Sequence, residues 1–318
     1  MIFHAHGLVR ICTNMYNREI AQFPNGRPTS QQIFLCMETL IKTGRTCYGI
    51  LIATIGINQL IYADFRPAIL PPLPSWRTSA EMEAYITGVV FIATGLAIVF
   101  SKKARLVGLI LGCILLAIIL FWHLPYILFI QPHLIRHLGV WGDVGKTLAF
   151  CGGAFVVAGS FPHEDKQGQT TPGFLTLPEK LIPFGRIFFS TTMIMFGFDH
   201  FFYVDFISTM VPGWIPGHFF WTYVTGAALI GSGAAIVLKI KLKLVSLLLS
   251  LMIFLWFILL HIPGAIANPV VDHGNLVLSA ADALGFSGTA LMIALTTAQQ
   301  ARAKRFFQVK GEQESALP

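Results

Sequence analysis

Long apolar segments recur along the whole chain, and this feature constrains the fold more than any other. Eight of them lie near residues 46–63, 84–101, 106–130, 141–160, 186–203, 220–238, 243–263 and 277–298. Each is about long enough to cross a hydrocarbon core of ~30 Å as a helix that rises about 1.5 Å per residue. Inside such a core the backbone polar groups find no water, so each segment must be helical. The sequence therefore predicts an all-α membrane protein with eight transmembrane helices.

The composition excludes the main soluble alternatives. Only 12% of the residues are charged and 55% are hydrophobic, which leaves too much apolar surface for a soluble enzyme, a disordered tail or a coiled coil. The net charge of +7 does not indicate nucleic acid, because Lys and Arg stand in small groups between the apolar segments. We expect the lipid bilayer as the main partner and a multi-pass location in the inner, or cytoplasmic, cell membrane.

The two halves of the chain share a pattern of rare residues. The matches, first half against second, are Glu38–Arg45 with Glu179–Arg186, Gly56 with Gly197, Tyr62 with Tyr203, Asp64 with Asp205, Tyr85–Gly88 with Tyr223–Gly226, Gly95 with Gly233, His123–Pro125 with His261–Pro263, and Leu148–Ala154 with Leu284–Ala290. So many matches in one order and with few gaps indicate an internal duplication. Each copy contains four segments, an even number, so we expect both copies to insert in the same orientation, as parallel repeats.

The basic residues predict which side of the membrane each loop faces. Most Lys and Arg residues fall in one set of alternate loops, whereas the other set carries only Arg66, Arg77 and Arg136. Because cytoplasmic loops carry the excess of Lys and Arg, the N terminus and the C terminus are both predicted to lie in the cytoplasm.

The duplication also divides the chain into domains. Residues 38–160 and 179–298 form two four-helix bundles, joined by a polar cytoplasmic linker at 161–178. Residues 299–318 make a basic and polar tail that we expect to fray. Residues 1–37 are an N-terminal extension with no counterpart in the second half. Two interpretations of it stay open: an interfacial or disordered segment, or upstream sequence that is not translated, with Met37 as the first residue.

The second half resembles a known family. It reads G-F-D-H-F-F-Y at 197–203, V-P-G-W-I-P-G-H at 211–218 and F-W-T-Y-V-T-G at 220–226, followed by H-I-P at 261–263. These segments resemble the DoxX family of four-helix membrane proteins, here fused in tandem. The first half departs from the pattern, since Gln59 stands at the position of His200. If a site depends on such residues, the first copy is expected to be mainly structural.

The resemblance also implies a direction for function. The wider DoxX group includes a subunit associated with thiosulfate:quinone oxidoreductase and members linked to thiol and oxidative-stress systems. It therefore implies redox work at a membrane.

Ionisable residues inside the spans gather near the predicted outer face. Such a residue costs roughly 2.5–3.5 kcal/mol on insertion scales, so we expect it to face the bundle interior. Asp199, His200 and His261 could together bind a quinone head group and exchange its protons, since His titrates near neutral pH. The alternative for His123 and His261 is that each complements the dipole at a helix end, just before the Pro that ends the span.

Other candidates for the same binding site are His123, Lys146, Asp282, Tyr203 and Trp221. Lys146 and Asp282 occupy matched positions in the two copies, so we expect their side chains to meet between the repeats as an ion pair. That pair is either a structural device that fixes the register of the helices or part of a proton relay.

One pair of loop histidines has the spacing of metal ligands. On a helix, His133 and His137 would share a face and could hold one metal ion. A single pair lacks the remaining ligands, so the favoured interpretation is two solvated loop residues.

The leading hypothesis for function is a quinone-linked or thiol-linked redox component with an outward-facing polar pocket. The chain has no cofactor motif of its own, so quinone is the candidate cofactor, and electrons would need a redox partner subunit or a bound quinone. The alternative is a non-enzymatic membrane scaffold or assembly factor, or a small-molecule permease that uses Lys146 and Asp282. Whether the chain is an enzyme and whether it forms an oligomer stay open at this stage.

Overall fold

The computed structural model describes residues 30–71, 80–136, 138–161 and 173–315, and these contain helices and no strand. The α-helices are α1 (Ser30–Tyr62), α2 (Ala80–Phe100), α3 (Ala104–Ile118), α4 (Leu138–Gly159), α5 (Gly173–Leu181), α6 (Gly185–Phe202), α7 (Val204–Ser208), α8 (His218–Val237), α9 (Leu242–Trp256), α10 (Ile262–Ala267) and α11 (Asn275–Ser315). By its internal contacts the chain divides into two units, Met1–Leu40 and Ile41–Pro318. The first is described only for the opening turns of α1, and the second contains all of the candidate transmembrane helices.

Seven helical stretches of the described residues are long and apolar enough to cross a membrane. They are Glu81–Phe100, Ala104–Ile130, Gly139–Gly159, Thr176–Phe202, His218–Val237, Leu242–Ala267 and Asn275–Thr297. These are the last seven of the eight segments predicted from the sequence. The first predicted segment lies in α1, which carries Arg45, Asn58 and Gln59 and is not among the seven. The protein is thus all-helical, and its apolar helices suit a lipid bilayer.

The two helices that contain a His-x-Pro sequence continue past the proline. One span runs from Ala104 to Ile130 across Pro125, and another runs from Leu242 to Ala267 across Pro263. A short π-helical segment precedes each proline, Ile119–His123 in the first half and Phe257–His261 in the second. The wider π turn accommodates a residue that cannot donate a backbone hydrogen bond. The interpretation of these histidines as residues at the end of a span is therefore wrong.

The segments predicted to be irregular are partly helical. Within the linker at 161–178, residues 173–178 begin α5, and the tail after residue 298 continues α11 as far as Ser315. Residues 1–29 of the N-terminal extension and 162–172 of the linker lie outside the described residues.

Glycines bring neighbouring helices of each half into backbone contact. A methyl group at Gly56 of α1 would collide with the carbonyl oxygen of Gly88 in α2. In the second half, a methyl group at Gly197 of α6 would lie 2.7 Å from the carbonyl oxygen of Gly226 in α8. Both pairs occupy matched positions of the two halves. Small residues of this kind allow membrane helices to approach closely.

The spans in α4 and α11 are the most buried of the seven, since 67% of the residues in the most apolar stretch of each are buried. Helix α1 packs on α11 where Gly44 meets Gly288, and α6 packs on α4 where Gly185 meets Gly152. The first long helix of each half therefore packs against the last span of the other half. The hydroxyl group of Tyr48 adds a hydrogen bond from α1 to α4, which it donates to the carbonyl oxygen of Phe150 over 2.5 Å.

Candidate functional site

A cavity of about 320 Å³ lies among helices α4, α6, α8 and α11 and the span that begins with α9. Five ionisable side chains line it: Lys146, Asp199, His200, His261 and Asp282. Trp221, another residue predicted from the sequence, is also part of its wall. Most of the remaining wall is apolar, as is usual for a small-molecule site of this size. The polar groups that the sequence places near one face of the membrane thus converge on one space.

Asp282 is held by an arginine that the sequence analysis did not connect with it. The guanidinium group of Arg66 donates hydrogen bonds to both carboxylate oxygens, over 2.9 Å and 2.5 Å. Both side chains are buried. The expected ion pair between Lys146 and Asp282 is therefore wrong. The segment 63–71 after α1 carries Arg66 into the bundle. The planar guanidinium group of an arginine matches the two oxygens of a carboxylate better than the ammonium group of a lysine does.

Lys146 faces the cavity without a direct partner. No hydrogen bond or salt bridge joins its ammonium group to another side chain in the part of the chain that the structure describes. Its charge interacts over longer distances with Arg66, Asp282, Asp143 and Asp199. Lys146 therefore lines a largely apolar cavity with hydrogen-bond donors that the described residues do not engage and that are available to a ligand.

Asp199 projects into the same cavity from α6. Among the described residues, its carboxylate has neither a hydrogen bond nor a salt bridge, and its strongest charged neighbour is Lys146. The backbone near these two residues is fixed, because the hydroxyl group of Thr192 in α6 donates to the carbonyl oxygen of Gly145 in α4 over 2.8 Å. The site thus offers one unpaired cation and one unpaired carboxylate from adjoining helices.

Two histidines complete the ionisable set. The Nδ1 atom of His200 lies 2.7 Å from the carbonyl oxygen of Phe196 and must donate to it. In a neutral ring this leaves Nε2 as a proton acceptor. His261 ends the π-helical segment Phe257–His261 and interacts electrostatically with Asp282 and Lys146. Segments of this type occur frequently at functional sites.

Three candidates from the sequence do not line this cavity, and a fourth lies outside the described residues. His123 is buried in the first half, where Nε2 lies 3.4 Å from the hydroxyl oxygen of Thr147. Tyr203 follows α6 and is exposed. His133 is exposed in the short 3₁₀ helix Pro132–Arg136, and His137 lies outside the described residues. Within residues 30–71, 80–136, 138–161 and 173–315, no group of three His, Cys, Asp or Glu residues is arranged to hold a metal ion.

The sequence held a signal for Arg66 that was not used. An intramembrane carboxylate such as Asp282 requires a cation, and Arg66 is one of few basic residues predicted on that side of the membrane. The match between Lys146 and Asp282 in the repeat pointed to the wrong partner, because it says nothing about the path of a loop.

No family model matches the chain, and no curated protein or solved structure matches it either. The resemblance to the DoxX family therefore stays a prediction from the residues quoted above.

Proposed function

We propose that the protein is a quinone-linked redox component of a membrane and that its cavity binds the head group of a quinone. The observation that carries this proposal is the convergence of five ionisable side chains on one cavity with a mostly apolar wall. A ligand with a polar ring and an apolar tail satisfies both parts of such a wall. Ionisable residues inside a membrane protein mark functional sites by default, because their insertion is costly.

We further infer that α1 is an eighth span and that the chain consists of two parallel repeats of the DoxX type. Two observations support this: the matched glycine contacts, and the packing of the first span of each half on the last span of the other. Lys239 follows α8 at the end opposite to the cavity residues Trp221 and Thr222, and Arg105 stands at the start of α3. By the positive-inside rule that side is the cytoplasm, so both termini are cytoplasmic and the cavity lies towards the outer face.

The cavity residues suit the proton chemistry of a quinone. Reduction of a quinone takes up two protons, and oxidation of the quinol releases them. The Nε2 atom of His200, the carboxylate of Asp199 and the imidazole of His261 can each accept a proton from a quinol, and their protonated forms can return it to a quinone. The electrons must come from a partner subunit or another bound carrier, since no cofactor motif is present in the sequence.

The test is to purify the protein from membranes and to measure the quinone in its lipid extract. We expect near-stoichiometric quinone with the unmodified protein and a large loss with His200→Ala. The matched control is Gln59→Leu, which changes the corresponding position of the first half and should leave the quinone content unchanged. An extract without quinone from the folded, unmodified protein would contradict the proposal and favour a scaffold or assembly role.

A further inference from the structure

Lys146 and Asp199, two opposite charges in the cavity, have no direct partner among the described residues, whereas Asp282 has one. Asp282 is already neutralised by Arg66 through two hydrogen bonds. The charges of Lys146 and Asp199 interact electrostatically, yet no salt bridge joins the two side chains in the described part of the chain. They come from different helices, α4 and α6, which the hydrogen bond from Thr192 to Gly145 holds together.

Unpaired charges in a low-dielectric site are costly, so a bound group that contacts both of them would be strongly favoured. The ammonium group of Lys146 can only donate hydrogen bonds, whereas an ionised carboxylate can only accept them. A ligand that bridges the two must therefore present an acceptor oxygen at one end and a hydroxyl donor at the other. The largely apolar wall of the cavity suits a flat ring.

We propose that the head group of the ligand is a ring with oxygens at opposite ends and that it bridges Lys146 and Asp199. One ring oxygen accepts a hydrogen bond from Lys146, and the hydroxyl group at the other end donates to Asp199. This inference rests on the quinone-binding function proposed above and specifies the chemical form that is bound. A quinol has the required hydroxyl group, but an oxidised quinone has only acceptors. The cavity therefore prefers the reduced form, and Asp199 is the residue that determines the preference.

The experiment uses the full-length protein, freed of bound lipid in detergent, with decylubiquinol and decylubiquinone as probes under anaerobic conditions. Trp221 and Trp256 both line the cavity, so quenching of tryptophan fluorescence reports binding. We expect the quinol to bind about tenfold more tightly than the quinone, because only the quinol can donate a hydrogen bond to the charged carboxylate.

Two variants separate the roles of the charges. Asp199→Asn should remove the preference for the quinol, and Lys146→Met should weaken the binding of both forms about tenfold. Asn58→Ala is the matched control, because Asn58 occupies the position of Asp199 in the first half and should leave both affinities unchanged.

The outcomes distinguish this inference from the function on which it rests. Binding of both probes with equal affinity, or a preference that Asp199→Asn leaves intact, overturns the bridging arrangement while quinone binding stands. A folded, unmodified protein that binds neither probe overturns the quinone function itself. If Lys146→Met does not fold, the isosteric change Asp199→Asn decides the question alone.

Discussion

The two halves of the molecule share their helix pairing but differ in the segment that follows the first long helix of each half. After α1 the chain turns back into the bundle, and Arg66, Ala68 and Ile69 are buried there. After α6 the chain instead forms the short helix α7, and Ile207 of that helix forms part of the cavity wall. The segment after the first long helix thus fills space in the first half and borders the cavity in the second.

The polar residues follow this difference. In the first half, His123 contacts Thr147, whose hydroxyl group also donates to the carbonyl oxygen of Ala68. In the second half, the matched residue His261 faces the cavity. Gln59, which matches His200, is completely buried. The first half nevertheless contributes Lys146 to the cavity wall. It also contributes Arg66, which binds the cavity residue Asp282. The two halves therefore contribute to one composite site rather than forming two equal ones.

The largest effect is expected from breaking the ion pair of Arg66 and Asp282, which links the loop 63–71 to the cavity wall. Asp282→Ala leaves the guanidinium group of Arg66 buried without a partner, which should lower the free energy of unfolding by about 3–5 kcal/mol. Chemical or thermal unfolding in detergent measures this effect. The control is Asp64→Ala, which removes an exposed carboxylate from the same loop and should cost about 0.5 kcal/mol or less.

A double variant tests the explanation. Arg66→Met combined with Asp282→Leu removes both charges and should recover most of the lost stability, because apolar residues of similar volume can replace a buried ion pair. If Asp282→Ala alone is as stable as the unmodified protein, loop 63–71 is not anchored by this pair.

The second prediction compares a position that is packed against the loop 63–71 with the matched position at the cavity. Thr147 and Ala283 occupy matched positions, but Thr147 is completely buried against the loop and Ala283 borders the cavity. Thr147→Phe should destabilise the fold by about 3 kcal/mol, the upper end of the usual cost of overpacking. Ala283→Phe should leave the stability nearly unchanged and abolish the binding of decylubiquinol. Equal losses of stability in the two variants would mean that the second half has no usable space.

The third prediction concerns the framework that the halves share. Gly56→Ala and Gly197→Ala should each destabilise the protein by about 1–2 kcal/mol, since a backbone collision of about 1–3 kcal/mol is partly offset by the higher helix propensity of Ala. Gly231→Ala in α8 is the control, because nothing lies within 4 Å of a methyl group there. It should be neutral or stabilising. A large effect in one half only would show that the glycine contacts are not equivalent.

The sequence predicted the helical framework better than the site. Apolar length identifies spans such as Ala104–Ile130 without any knowledge of tertiary contacts. The cost of intramembrane charge likewise predicted that Asp199 and Asp282 would lie inside the bundle. Arg66 was missed because a loop residue becomes buried only through the path of the folded chain. The continuation of the span beyond Pro263 was missed because a proline normally ends an α-helix, and the π-helical segment that accommodates it has no recognisable sequence pattern.

The smallest effect is expected at the exposed contact between the end of α1 and the loop before α11. The rings of Tyr62 and His273 are stacked, with centroids 5.3 Å apart and an angle of 6° between their planes. His273→Ala should cost about 0.5–1 kcal/mol, since an aromatic pair contributes about 0.5–1.5 kcal/mol and His273 is largely exposed. The hydrogen bond from Asn58 to the backbone carbonyl oxygen of residue 273 survives the change. His133→Ala, at another exposed loop histidine, should have no effect on unfolding. A loss above about 2 kcal/mol for His273→Ala would mean that this exposed contact, rather than the buried pair of Arg66 and Asp282, is the principal link between the halves at this end.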